Sequence, residues 1–352
     1  MTVRKNIGWV NTLKMICMMF VYLNHSEIYC GTTIGPLRNV YLPLFVPAFF
    51  FISGYLIFRK QLSEPLVSLG VKEWYKSELG GGKSLILNII YKIAIPSIMF
   101  ASLIYLPKKL LRGDTFELAS FCFETIGGCS MWFTNALVLA ELAIIVLLLT
   151  RIKSIWFYVG TGVLVATVGF VAFKSGVTLL GNPNFPWFWK SSMAAVFYLT
   201  LGGLYGKYEK PVEKILNNRL IMWSVAILYI CYCIFDFRVY NGGLDKSPLT
   251  IGSSILSIVG IMILICLCKK VPPTDFTNYW GRYTIGLYFM CGAIPNTVAI
   301  ILRKFSIGGL PCVIICWVSS FTIALIVCHI LNRYMAFMFD LRLIKKKRIS
   351  LD

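Results

Sequence analysis

Apolar residues run along this chain in long blocks, separated by short clusters of Lys, Arg, Gly, Pro and Asn. About ten of these blocks reach helical spanning length, at 9–29, 40–58, 85–106, 130–149, 153–174, 187–206, 219–239, 248–268, 283–303 and 311–332. A helix rises about 1.5 Å per residue, so about 20 apolar residues cross the hydrocarbon core of a bilayer. The pattern predicts an all-α fold, a polytopic integral membrane helical bundle with about ten transmembrane helices. These blocks consume most of the 352 residues and leave a loop at 59–84 and short tails. Residues 1–352 therefore read as a single transmembrane domain with no separate soluble domain. The chain shows no internal repeat and no low-complexity tract. Pro47 and Pro96 fall inside blocks, where proline kinks helices and frees backbone groups. The loop carries ELGGGKS, a flexible break before Lys83. It lacks the GxxxxGK[ST] spacing and follows no strand, so it does not read as a phosphate-binding loop.

Composition agrees with the pattern. Hydrophobic residues make up 58% and charged residues 14%, with a mean hydropathy of +0.75. So little charge cannot cover a water-facing surface of this size. The net charge of +19 would suggest nucleic acid in a soluble protein, but its distribution speaks of topology. With the N-terminus inside, 22 Lys and Arg residues fall on the inner side and 10 on the outer. That bias places both termini in the cytoplasm. The C-terminal LIKKKRIS run suits an anionic inner leaflet and needs no nucleic acid. Trp9–Tyr29 is too long for a cleaved signal peptide, contains Lys14, and lacks a small-residue cleavage site, so it reads as a retained first span. The 12 cysteines stand singly, with no CxxC pair. Most are apolar filler within spans, no metal site is expected, and Cys30 and Cys129 are the pair whose sidedness permits a disulfide.

The chemistry concentrates in the first block. Lys14 and His25 stand eleven residues apart. Eleven steps of about 100° end about 20° past three turns, so both share one helix face, about 16 Å apart along the axis. Ionisable groups in a membrane span are functional candidates by default. The bland reading is that His25 bonds a neighbouring helix. Glu27 lies about 200° round the helix from His25 and does not orient it. His329, near the inner end of the last block, reads as structural. Glu141 lies about twelve residues into its block, and needs a counter-charge or a proton; Lys14 or Lys92 can pair with it.

Six segments resemble the membrane-bound acyltransferase 3 family, in the family's order. The first is Lys14-x10-His25, with Lys where Arg is common. VPAFFFISGYLIFRK (Val46–Lys60) resembles the family's FFxSGY-basic segment and includes Ser53. The stretch from Lys83 to Pro96 is similar to its basic amphipathic helix. MWFTNALVLAEL (Met131–Leu142) resembles its WFxxAL segment. AAVFYLTLGGLYGKY (Ala194–Tyr208) resembles its FxxLGxxxGK segment. WGRYTIGLYFMC (Trp280–Cys291) resembles its GRx[ST]xxxY segment, with Arg282 and Tyr288 in place. The nearest branch is the fucose 4-O-acetylase-like one. Two positions depart from the pattern: Asn11 stands where an Asp often precedes the basic residue, and Cys291 where the last segment often ends in His.

The resemblance implies a multi-pass enzyme of the bacterial cytoplasmic (inner) membrane. Such an enzyme moves an acyl group, usually acetyl, from cytoplasmic acetyl-CoA or another acyl-CoA to a hydroxyl of a cell-envelope polysaccharide or lipid-linked glycan. It implies His25 as general base and Lys14, Arg59, Lys60, Lys83 and Arg282 as donor-binding residues, although each cation at the inner surface also reads as a positive-inside anchor. Asn11, Ser53, Glu141 and Tyr288 are supporting residues. Trp132, Phe133 and Trp187 are candidates for stacking on the acceptor sugar, or for an interfacial aromatic belt. The partners expected are acyl-CoA, the glycan acceptor, the lipid bilayer and glycan-assembly proteins. Two other classes fit a polytopic chain: a transporter of a glycan precursor or small anion, and a non-catalytic membrane subunit of a polysaccharide synthesis complex. No pair of broken helices in matching halves favours the transporter, and the subunit would not need Lys14 and His25 on one face.

Overall fold

The computed structural model of the chain describes residues 7–113, 115–179, 181–182, 184–239 and 251–343. Their regular elements are helical, apart from an isolated bridge between Leu179 and Asn182. In chain order the helices are α1 (Gly8–Cys30), α2 (Leu37–Tyr41), α3 (Phe45–Gln61), α4 (Val71–Lys76), α5 (Gly82–Ile89), α6 (Ile95–Arg112), α7 (Leu118–Thr125), α8 (Trp132–Leu148) and α9 (Ile155–Lys174). They continue as α10 (Trp189–Lys207), α11 (Glu209–Leu216), α12 (Arg219–Val239), α13 (Ile251–Lys270), α14 (Asp275–Arg282), α15 (Thr284–Met290), α16 (Ala293–Lys304) and α17 (Gly309–Tyr334).

Among the described residues four helices are long and apolar enough to cross a membrane: Leu37–Gln61, Gly82–Pro107, Ile155–Lys174 and Gly309–Tyr334. Two bent pairs, Glu209–Leu216 with Arg219–Phe235 at 83° and Thr284–Met290 with Ala293–Lys304 at 45°, bring the number to 6 when each counts as one span. That is fewer than the about ten blocks read from sequence, for identifiable reasons. α1 and α10 are helical, but their polar side chains, Lys14, His25 and Glu27 in one and Lys190 in the other, lower their hydropathy. α8 is apolar but only 17 residues long. The block at 248–268 begins in residues that lie outside the described ones.

The prolines act differently at their two positions. Pro47 is the third residue of α3, in the first turn, where a helix leaves its N–H groups unbonded anyway. Pro96 follows a π-turn at Ile90–Ala94, the wide turn that joins α5 to α6. The looser ladder accommodates the proline without ending the span.

The chain divides into two compact units, Met1–Phe49 with Glu209–His329 and Phe50–Tyr208 with Ile330–Asp352. In the first unit α1 is the central element. Gly281 of α14 packs on it so closely that an added Cβ would lie 2.5 Å from the Asn11 carbonyl oxygen. The Asn11 side-chain amide donates to Asn278 at 3.2 Å, and the Thr12 and Thr277 hydroxyls meet at 3.3 Å. Higher on α1, the Tyr22 hydroxyl donates to the Leu287 carbonyl of α15 at 2.8 Å, and the Trp317 indole of α17 donates to the Met19 carbonyl at 2.9 Å.

In the second unit α3 and α10 cross at backbone contact. A Cβ on Gly54 would lie 1.8 Å from the Leu199 carbonyl oxygen, and one on Gly202 would lie 1.9 Å from that of Phe51. Only glycine permits that approach, and small residues let apolar helices gain dispersion contact where lipid offers no hydrophobic drive. One end of this unit holds the loop at 62–81. The GGG run there is closely packed rather than an open hinge: Trp74 is fully buried, its indole donates to Gln61 at 2.6 Å, and Gln61 donates to the Gly80 carbonyl at 2.9 Å. At the other end the 126–131 loop meets the 185–188 segment, where the Trp187 N–H donates to the Gly127 carbonyl at 3.1 Å.

Candidate functional site

α1 runs unbroken from Gly8 to Cys30, so the eleven-residue spacing keeps Lys14 and His25 on one face, about three turns apart. His25 stacks on Tyr29, one turn later, with ring centroids 5.9 Å apart and planes at 19°. Its Nδ1 is buried and has no hydrogen-bond partner, and the same holds for the Oδ1 of Asn24 beside it. An unsatisfied buried polar atom costs about 1–3 kcal/mol, so such a group is expected to meet a ligand or to serve chemistry.

Glu27 does not supply that partner. It is 2% exposed, and its carboxylate organises the chain beyond α1. It accepts from the Ile34 N–H at 2.7 Å and the Tyr41 hydroxyl at 2.6 Å, with Arg38 at 3.3 Å. The segment 31–41 is thereby tied down next to the His25 turn. Sequence reasoning set Glu27 aside as a partner of His25, which the structure agrees with, but it missed this role. The signal available was a carboxylate near a helix end, followed within 15 residues by Arg38 and Tyr41.

The WGRYTIGLYFMC segment lies along the same helix. Gly281 rests on Asn11, so the neighbouring Arg282 stands at the Lys14 end of α1, exposed. Tyr288 is buried in α15, and α15 ends beside Tyr29: a Cβ on Gly292 would lie 3.7 Å from the Tyr29 hydroxyl. Cys291, which stands where the family often has His, thus falls at the break between α15 and α16, close to the His25 turn. Asn11, where an Asp is common, is used to dock α14. His329 bonds the Tyr279 hydroxyl at 3.0 Å, in keeping with a structural role. All described cysteines are free thiols, and Cys30 meets Cys312 at 3.1 Å, so Cys312 replaces Cys129 as its sulfur neighbour.

The second unit gathers the other predicted residues at three places. Ser53 donates a short hydrogen bond to Glu141, which is 7% exposed. The two supporting residues of the FFISGY and WFTNALVLAEL segments are thus joined across α3 and α8. Lys92 faces Asp340 at 3.8 Å. Arg59, Lys60 and Lys83 are exposed at the end that holds the 62–81 loop. Arg59 donates to the Tyr55 hydroxyl at 2.7 Å, and the Lys60 ammonium lies over Gly80, where a Cβ would be 1.9 Å away. The GGG run therefore brings Lys60 and Lys83 to one end of the unit. The aromatic candidates sit at the opposite end. Phe133 is buried against Phe50 at 5.1 Å, Trp132 faces Phe188 at 6.4 Å, and the Trp187 indole donates to the Ile126 carbonyl at 2.7 Å. Lys190, adjoining this cluster, escaped the sequence reading because it was counted among the outer-side charges.

The family model described as an acyltransferase domain matches residues 7–333. The chain belongs to the acyltransferase 3 family, whose members are multi-pass membrane acyltransferases. No curated protein and no solved structure matches it.

Proposed function

We propose that this chain is a membrane O-acyltransferase that moves an acetyl group from cytoplasmic acetyl-CoA to a hydroxyl of an envelope polysaccharide or its lipid-linked precursor. The observation that carries the reading is His25: a buried, unpartnered ring nitrogen on the same face of α1 as Lys14, in a chain of an acyltransferase family. In the reaction, the neutral imidazole accepts the proton of the sugar hydroxyl as that oxygen attacks the thioester carbonyl. The tetrahedral intermediate collapses by breaking the C–S bond. The imidazolium returns its proton to the departing thiolate, so that an ester and free CoA result and His25 is neutral again. A base of this kind contributes about 10²–10⁴ in rate. The cations proposed for the phosphates of the donor are Lys14 and Arg282 in the first unit and, taken by themselves, Arg59, Lys60 and Lys83 in the second; Lys14 is the nearest of them in sequence to the base. The span between Lys14 and His25, about 16 Å, is comparable to a pantetheine arm.

The same reading takes ten crossings: the four long spans, the two bent pairs, and α1, α8, α10 and α13. An even number of crossings puts both termini on one side, the charge bias makes that side the cytoplasm, and His25 then lies toward the outer half of the bacterial inner membrane. Acetyl-CoA-dependent labelling of glycan by membranes tests the function. His25→Ala should lower it at least a hundredfold at matched membrane level. Near-normal transfer by that variant would remove His25 as the base.

A further inference from the structure

Lys190 is 6% exposed. It is the second residue of α10, in the first turn. Its ammonium meets the ring of Trp189 at 5.6 Å, and no carboxylate or hydrogen-bond acceptor is among its described partners. The acidic side chains of the preceding elements, Glu117 and Glu124, form no described ion pair with it. Directly beside it, the Trp189 indole Nε1 is buried and also lacks a partner.

These facts compound one another. A buried charge is costly unless paired. The N-terminal end of a helix carries positive potential, so a cation there is in the wrong place unless an anion joins it. A face of the neighbouring ring offsets part of the cost, but it satisfies neither the ammonium hydrogens nor the indole N–H. The buried indole N–H of Trp189 is thus left without an acceptor, and the Lys190 side chain beside it, 6% exposed as a residue, has the Trp189 ring and no acceptor among its described partners. The backbone around them is held firmly. Trp187 and Phe188 have φ of 51° and 53°, a left-handed turn that aromatic residues rarely adopt. The turn is fixed by the Trp187 hydrogen bonds to Gly127 and Ile126 and by the Phe188 N–H to the Asn184 carbonyl at 2.7 Å. Gly128 has no side chain to obstruct the Trp187 ring, since a Cβ there would lie 2.6 Å from its Cδ1.

We propose that Lys190 and Trp189 bind a phosphate group carried beside a sugar ring. The ammonium and indole N–H donate to phosphate oxygens, and the flanking aromatic segment, Trp132 with Trp187 and Phe188, covers the sugar face. Assignment of that sugar phosphate to the acceptor rests on the transferase reading above; the existence of the anion site does not. The acceptor is then a glycan with a phosphate at or next to the acylated sugar, as in a glycosyl phosphate or a lipid-linked sugar diphosphate. The same chemistry is offered by a phospholipid headgroup, and the experiment separates the two.

The full chain, purified in phosphatidylcholine nanodiscs, is titrated with radiolabelled glucose 1-phosphate in equilibrium dialysis. Binding should occur, should be displaced by inorganic phosphate, and should resist an equal concentration of glucose. Lys190→Gln should weaken it at least tenfold, Lys190→Arg should retain it within about threefold because guanidinium also serves phosphate, and Trp189→Phe should weaken it while keeping the ring. Thermal melting of each variant checks that it is folded. Equal affinity in the wild type and a folded Lys190→Gln protein would overturn the site. If phosphatidylglycerol nanodiscs abolish sugar phosphate binding in the wild type, the headgroup is the ligand and the acceptor assignment is overturned. Acyl transfer to glycan is measured on the same variants. A wild type that binds sugar phosphate through Lys190 but never transfers acetyl would overturn the transferase reading and leave the anion site standing. Unchanged transfer by Lys190→Gln, beside an active wild type, would overturn the acceptor role alone.

Discussion

The Tyr41 hydroxyl donates a 2.6 Å hydrogen bond to Glu27, two residues beyond His25 on α1, and so closes the segment between α1 and α3 onto the turn that carries the proposed base. Arg38 shares the same carboxylate at 3.3 Å, and the Ile34 N–H completes it at 2.7 Å. Hydrogen bonds to a buried carboxylate contribute about 1.5–3 kcal/mol each. Glu27→Ala strands the Tyr41 and Arg38 donors and should lower the melting temperature clearly in detergent. Tyr41→Phe removes one bond and should cost about 1–3 kcal/mol. A Glu27→Ala protein that melts with the wild type would show that the segment is held by other means.

The crossing of α3 with α10 gives a steric prediction. Gly54→Ala and Gly202→Ala each place a methyl group under 2 Å from a backbone carbonyl oxygen, which the helices can relieve only by moving apart. Overpacking of a well-packed interior costs about 1–3 kcal/mol and at times more. Both variants should express poorly or melt early. Gly160→Ala, whose added methyl meets nothing within 4 Å, is the matched control and should behave like the wild type. Normal melting of Gly54→Ala would mean that the helices do not cross at this point.

Ser53 and Glu141 should be energetically coupled. Ser53→Ala removes the donor of this bond, and Glu141→Gln alters its acceptor. A double-mutant cycle on thermal stability should give a coupling of about 0.5–3 kcal/mol. Strict additivity would separate the two residues.

Near the C-terminal end of the described chain, Asp340 is predicted to show a pH signature. Burial pushes its carboxyl up, but the Arg342 side chain at 2.7 Å and backbone N–H at 3.1 Å, with Lys92 at 3.8 Å, more than reverse this and hold it below its usual 3.8. A depressed folded-state pKa stabilises above the unfolded value and is lost as pH falls through the folded one. Asp340→Asn should therefore be less stable than the wild type at pH 7, by about 1–2 kcal/mol. The gap should shrink as pH falls below 3.8. A gap that stays constant down to pH 3 would mean that the ion pair does not contribute.

Hydrophobic periodicity, long apolar blocks and the Lys14–His25 spacing were legible from the chain alone, because helical geometry is local and a membrane core tolerates little else. The order of the six family-like segments identified the class for the same reason: each motif is short and its chemistry is carried in consecutive residues. The number of crossings was less legible, since α1 and α10 carry polar side chains that lower their hydropathy and α8 is only 17 residues long. The fate of particular side chains was decided by tertiary packing. Gly54 and Gly202 are ordinary helix glycines in sequence, and only the crossing of α3 and α10 gives them a reason. Asn11 reads as a lost carboxylate until α14 is seen to dock on it. Lys190 counts as an outer-loop charge until the fold buries it beside Trp189. Burial and pairing depend on residues distant in the chain, and the sequence carries no local record of which of them will meet.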